Sequence, residues 1–96
     1  MNRAERKEEI KRIVDKARQD NKRCCIKEIA KLEGRQLSWL ADEIGVYSSD
    51  ISRWISEDRI PGKAHYDKVK LLAKLLDTSI DSLFPFSKKT QLYNIK

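Results

Sequence analysis

The sequence predicts an all-α fold: a compact domain of five short helices, with an extra amphipathic helix before it and a basic tail after it. Three observations predict this. Apolar residues recur at spacings of three and four along most of the chain. Glycine and proline are scarce, three and two in 96 residues, which leaves few turn signals. Hydrophobic residues (40%) and charged residues (38%) are nearly balanced, as in a small helical domain with charged outer faces. A chain this short holds one domain and an arm. The expected division is an amphipathic helix or arm over 1–23, the domain over 24–84 and a tail over 85–96.

The first helix is expected at about 3–20. Ile10, Ile13, Val14 and Ala17 form one narrow stripe, able to pack on the domain body or to pair with another copy. Asp20-Asn21 should end the helix. A second helix, about 24–33, carries Ile26, Ile29, Ala30 and Leu32, and Gly34 closes it. A third, about 36–43, places Leu37, Leu40, Ala41 and Ile44 on one side before Gly45 breaks the pattern. Tyr47-Ser48-Ser49 then signals a fourth helix, about 48–56, with Asp50 in its first turn and Ile51, Trp54 and Ile55 inward. Pro61-Gly62 marks a loop. A fifth helix, about 64–76, follows on Val69, Leu72, Ala73 and Leu76. Asp77-Thr78-Ser79 separates it from a short last helix, about 79–84, stopped by Pro85.

Several function classes are disfavoured. No apolar run approaches a membrane span, and the N-terminus has no apolar core of a secretory signal. Cys24 and Cys25 are adjacent, and His65 is the only histidine, which falls short of a four-ligand zinc set. One buried and one partly exposed free thiol in a reducing cytosol are expected. With no glycine-rich phosphate loop and no paired carboxylates, neither an enzyme nor a metal or cofactor is expected. The net charge is +6, but it lies at the ends. Residues 1–23 carry nine Lys/Arg against five Asp/Glu (+4), residues 24–84 nine against ten (−1), and residues 85–96 three against none (+3). A basic excess suits a polyanionic partner.

Residues 35–56 hold the most specific pattern. Two short helices flank a tight turn, as in a helix-turn-helix. Ala41 is small enough for a close helix crossing, Gly45 tolerates a positive φ, and Val46, Ile51 and Trp54 lock the second helix down. Ser48, Ser49, Ser52, Arg53 and Ser56 are left outward.

The stretch IKEIAKLEGRQLSWLADEIGVYSSDISRWISEDRIP (26–61), continued by LLAKLLDTSIDSLF (71–84), resembles the XRE family of lambda repressor and Cro-like regulators. Gln36-Leu37 stands where that family usually has Ser or Thr followed by Gln, and Ile55-Ser56-Glu57 where it often has Glu-x-Gly. The resemblance implies a lambda-repressor-like fold and a repressor-type transcriptional regulator. It would bind double-stranded DNA as a homodimer on an inverted repeat, in a bacterial or phage-infected cytoplasm. Ser48, Ser49, Ser52 and Arg53 would read bases, Arg53 through guanine O6 and N7. The alternatives are N-capping for the serines, and a solvated arginine or an ion pair with Asp50 or Glu57 for Arg53. Arg35, Gln36, Trp39, Tyr47, Ser56, Arg59 and Lys63 would meet the DNA backbone. Leu83, Phe84 and Phe86, with Leu92 and Tyr93, or else the N-terminal stripe, would form the dimer interface; the alternative for these residues is domain core. The extra helix and tail motivate a second reading, an antitoxin-type or adaptor-type interaction module that binds a protein partner through 1–23 or 85–96.

Overall fold

Residues 2–85, the part of the chain that the computed structural model describes, form six α-helices: α1 (Arg3–Gln19), α2 (Ile26–Leu32), α3 (Leu37–Ile44), α4 (Ser48–Glu57), α5 (Lys63–Leu75) and α6 (Ile80–Leu83). The expected all-α class is observed. No helix among the described residues is long and apolar enough to cross a membrane.

Helix α1 starts at Asn2, whose side chain accepts the Glu5 N–H at 2.8 Å. It ends at Asp20, and Asn21 takes a positive φ of 58°. Its apolar stripe faces the protein's own body. Ile10 and Ala17 are buried, and Ile13 and Val14 pack against the core. That stripe is therefore largely spent within the chain rather than left for a second copy. Helix α1 rests chiefly on α2 and α6. Arg6 clamps it there: its guanidinium pairs with Glu33 at the end of α2 and donates to the carbonyls of Leu76 and Asp77 at the end of α5. Those carbonyls lie at the negative end of the α5 dipole, where a cation is favoured.

The second helix begins two residues later than the sequence suggests, because the backbone of 23–25 is engaged elsewhere. The N–H groups of Arg23 and Cys24 donate to the Asp58 carboxylate at 3.0 and 2.8 Å. The Cys25 N–H donates to the Leu83 carbonyl at 2.8 Å. Three elements thus meet in one short segment. The partly exposed thiol expected from the sequence is not found; Cys24 and Cys25 are both fully buried. Burial pushes the Cys24 thiol up to about 12. It also raises Cys25, with help from the Glu28 carboxylate, to about 11.

Helices α5 and α6 close the core. Val69, Leu72, Ala73 and Leu76 are buried as their spacing implies. Asp77 turns the chain at φ 51°, and Ser79 caps α6 by accepting the Ser82 N–H at 3.1 Å. Leu83 and Phe84, expected at a dimer interface, are 0% and 1% exposed. The hydrogen bond from Cys25 draws α6 onto the 23–25 segment, so these side chains fill the monomer's own core and present nothing to a second copy. Phe86, Leu92 and Tyr93 lie outside the described residues. Among the described residues, the exposed large aliphatic side chains are Leu71 and Leu75, one turn apart on α5.

Two outcomes test this packing. Asp58→Ala removes the acceptor of two N–H groups and places a β-carbon without a compensating polar group at φ 55°. It should lower stability by about 2–3 kcal/mol in urea unfolding. Asp58→Asn, which keeps an acceptor and tolerates the left-handed conformation, should lose less than half as much. The thiols give a pH signature. Well below pH 9 both are neutral in the folded and unfolded chain. Above it the unfolded chain ionises first and binds fewer protons, so stability falls as pH rises towards the folded values of about 11 and 12. By pH 10 the loss should reach about 1 kcal/mol per thiol. A Cys24→Ala/Cys25→Ala chain should lack that slope between pH 9 and 10.

Candidate nucleic-acid interface

Helices α3 and α4 pack directly on one another. Their crossing needs a small side chain, and Ala41 is there, 1% exposed. Gly45 takes φ 78°, the left-handed conformation expected of it. The N–H groups of Gly45 and Val46 both donate to the Ala41 carbonyl, at 2.9 and 3.0 Å. The last turn of α3 has no basic residue of its own. Lys68 of α5 supplies one: a β-carbon at Gly45 would stand 3.4 Å from its Nζ. A cation there complements the C-terminal end of α3.

Helix α4 starts differently from the sequence expectation in one respect. The N-cap is Tyr47, with Ser48 and Ser49 already in the first turn. The capping acceptor is Asp50, whose Oδ2 takes the Tyr47 N–H at 3.1 Å. Its Oδ1 takes Arg53 Nη2, also at 3.1 Å. Of the alternatives open for Arg53, the free chain therefore shows the ion pair with Asp50, which also caps the helix. Asp50 is drawn towards the helix start, while the Arg53 side chain remains 53% exposed.

The two faces of α4 are sharply divided. Ile51 and Trp54 are buried and Ile55 is partly so. Ser48, Ser49, Ser52, Arg53 and Ser56 are all exposed. Tyr47 is 80% exposed.

The remaining predicted residues fall into two groups. At the start of α3, Gln36 is the exposed N-cap and makes no side-chain capping bond. Beside it the Arg35 guanidinium stacks over the half-exposed Trp39 ring, 4.6 Å from its centre. The second group surrounds the α4–α5 loop. Arg53, Arg59, Gly62 and His65 line one cleft together with Glu57, which approaches Arg59 at 3.5 Å. Lys63 is exposed at the first turn of α5, whose N-cap Gly62 offers no side chain to its N–H groups. His65 meets the Trp54 ring edge-on, with centroids 5.7 Å apart. Trp54 Nε1 is buried without an acceptor among the described residues. The cleft therefore gathers two guanidinium groups and an imidazole beside one carboxylate.

Sequence reasoning missed His65 and Lys68 at this surface. His65 follows Pro61-Gly62 by a few residues, so the loop signal pointed to its neighbourhood. Lys68 had no local signal, because its partner is a turn more than twenty residues away. Comparison of the chain with protein-family models, with curated proteins and with solved structures finds no match.

Asp50→Ala removes the acceptor from the start of α4. Urea unfolding should show a loss of about 1 kcal/mol. Asp50→Asn should recover part of it. Unchanged stability in Asp50→Ala would mean that the bond from Tyr47 contributes nothing.

Proposed function

We propose that this protein is a sequence-specific, double-stranded DNA-binding transcriptional regulator of the lambda repressor and Cro kind, a repressor acting in the cytoplasm. It reads the major groove with helix α4, as a dimer on an inverted repeat whose half-sites lie about 34 Å apart. One observation carries this reading. A single exposed face of α4 presents four serines and one arginine, while Ile51 and Trp54 anchor the opposite face in the core. The resemblance of residues 26–61 and 71–84 to the XRE family supports it.

The chemistry fits base reading. Serines are small enough to let a helix approach base edges, and an arginine fork matches guanine O6 and N7. Arg53 is engaged with Asp50 in the free chain. An exposed pair of this kind contributes only about 0–1 kcal/mol. A two-bond contact to guanine is worth about 1–3 kcal/mol of discrimination. The exchange therefore favours the base. Asp50 keeps its other oxygen on the Tyr47 N–H, which holds the carboxylate at the helix start.

Backbone contacts flank the reading helix. Arg35, Gln36 and Trp39 stand on one side; Arg59, Lys63 and the uncapped start of α5 stand on the other. The cleft beside Trp54 and His65, lined by Arg59, suits a phosphate, which brings acceptors only. The near-neutral middle of the sequence leaves part of the long-range attraction to the basic residues 85–96.

Selection of bound duplexes from a random pool tests the reading. The expected product is a palindromic site. Arg53→Ala should lose preference at one base pair per half-site and leave binding to non-cognate duplex nearly unchanged. A pool that yields no enriched sequence, or an Arg53→Ala chain with the parental preference, overturns it.

A further inference from the structure

Helix α1 carries a second charged surface that the DNA reading does not use. Arg3, Lys7, Lys11 and Arg18 recur along one flank of the helix, beside its buried stripe. None of the four makes an ion pair among the described residues. They line an open groove between α1 and the α5–α6 connection. Ile10 and Val14 contribute apolar surface to it, Thr78 and Ser82 add hydroxyl groups, and the acids present are Asp15 and Asp77. Arg6 also reaches this groove but is already engaged with Glu33 and the end of α5. The helix's glutamates, Glu5, Glu8 and Glu9, line a different cleft with Arg12. The charges of α1 are therefore segregated rather than mutually neutralised.

We infer that the cationic groove along α1 docks an acidic segment of a partner protein, one that presents carboxylates spaced around aliphatic side chains. Charge complementarity selects an anionic occupant, since four unpaired cations face two acids. The apolar lining selects a peptide over a phosphate backbone, because Val14, which is only partly buried, offers contact to side chains and nothing to a phosphate. Position points the same way. The groove lies at the α5 end held by Arg6, whereas the cleft beside Trp54 and His65 lies at the α5 start. The 13 residues of α5 separate the two by about 20 Å. The protein's own residues 86–96 are excluded as occupant by sign, since they carry three lysines and no acid.

The docking site does not depend on the DNA reading, and the test keeps them apart. The full chain is titrated against a fluorescein-labelled synthetic peptide of Asp and Glu with Leu at every fourth position. The control peptide has Asn and Gln in place of the acids. Binding of a duplex is followed in parallel. The acidic peptide should bind, and the amide control should not. Lys7→Glu/Lys11→Glu, at two exposed unpaired positions, should weaken the peptide complex by about tenfold or more and change duplex binding by less than about twofold. Arg53→Ala should leave the peptide complex intact. Equal affinity for the two peptides overturns the proposal, as does a double variant that binds the acidic peptide normally. Loss of duplex binding with no loss of peptide binding in that variant assigns the groove to nucleic acid and overturns it as well. A chain that binds no duplex leaves the peptide measurements interpretable.

Discussion

Residues 23–25 are the knot on which the rest of the structure depends. Three consecutive N–H groups leave this segment for two distant partners, the Asp58 carboxylate and the Leu83 carbonyl. Asp58 closes α4 and Leu83 ends α6, so one short backbone segment joins the exit of α1 to the far end of the proposed reading helix and to the last turn of the fold. Buried amides in this segment left without partners would cost several kcal/mol. Here a carboxylate and a carbonyl supply those partners, and the two cysteine side chains fill the space beside them as small apolar groups. Their raised ionisation follows from the same burial.

Carboxylates act in this chain mainly as local anchors. Asp58 holds a loop, Asp50 starts α4 while it parks Arg53, and Glu33 takes the Arg6 guanidinium that fastens α1. Lys22 shows the converse. Its hydrogen bond to Glu28, beside the buried thiols, raises its pKa and keeps it charged. These uses explain how a middle segment with a net charge of −1 remains compatible with a proposed polyanionic partner. Several of its acids are turned towards amides and cations of the protein itself. The exposed face of α4 keeps its serines and its arginine outward.

Two cationic surfaces then have separate chemistry. The proposed base-reading face is polar and carries one arginine on a rigid rod. The α1 groove has four unpaired cations around apolar surface. Helix α5 spans the distance between the two regions and ties them together: its start lies in the loop cleft and its end is clamped by Arg6. In the proposed function, occupancy of the groove would leave the reading helix free, because the two surfaces share no side chain named for either role.

The sequence by itself determined the elements that depend on neighbouring residues. Apolar spacing identified α1 to α5 and the inward sides of α4 and α5, and Gly45, Asn21 and Gly34 marked turns that do require a positive φ. Such features follow from backbone sterics and side-chain periodicity within a few residues. Tertiary structure alone decided which apolar residues were surplus to the core. Leu83 and Phe84 were expected at a dimer interface, with the core as the alternative, and a hydrogen bond from Cys25, 58 residues away, placed them inside. The same holds for Asp58 with Cys24, Arg6 with Leu76, Lys68 over Gly45, and the choice of α1's stripe between its own body and another copy. Each is a contact between groups whose separation along the chain leaves no periodic trace, so it exists only once the helices have packed.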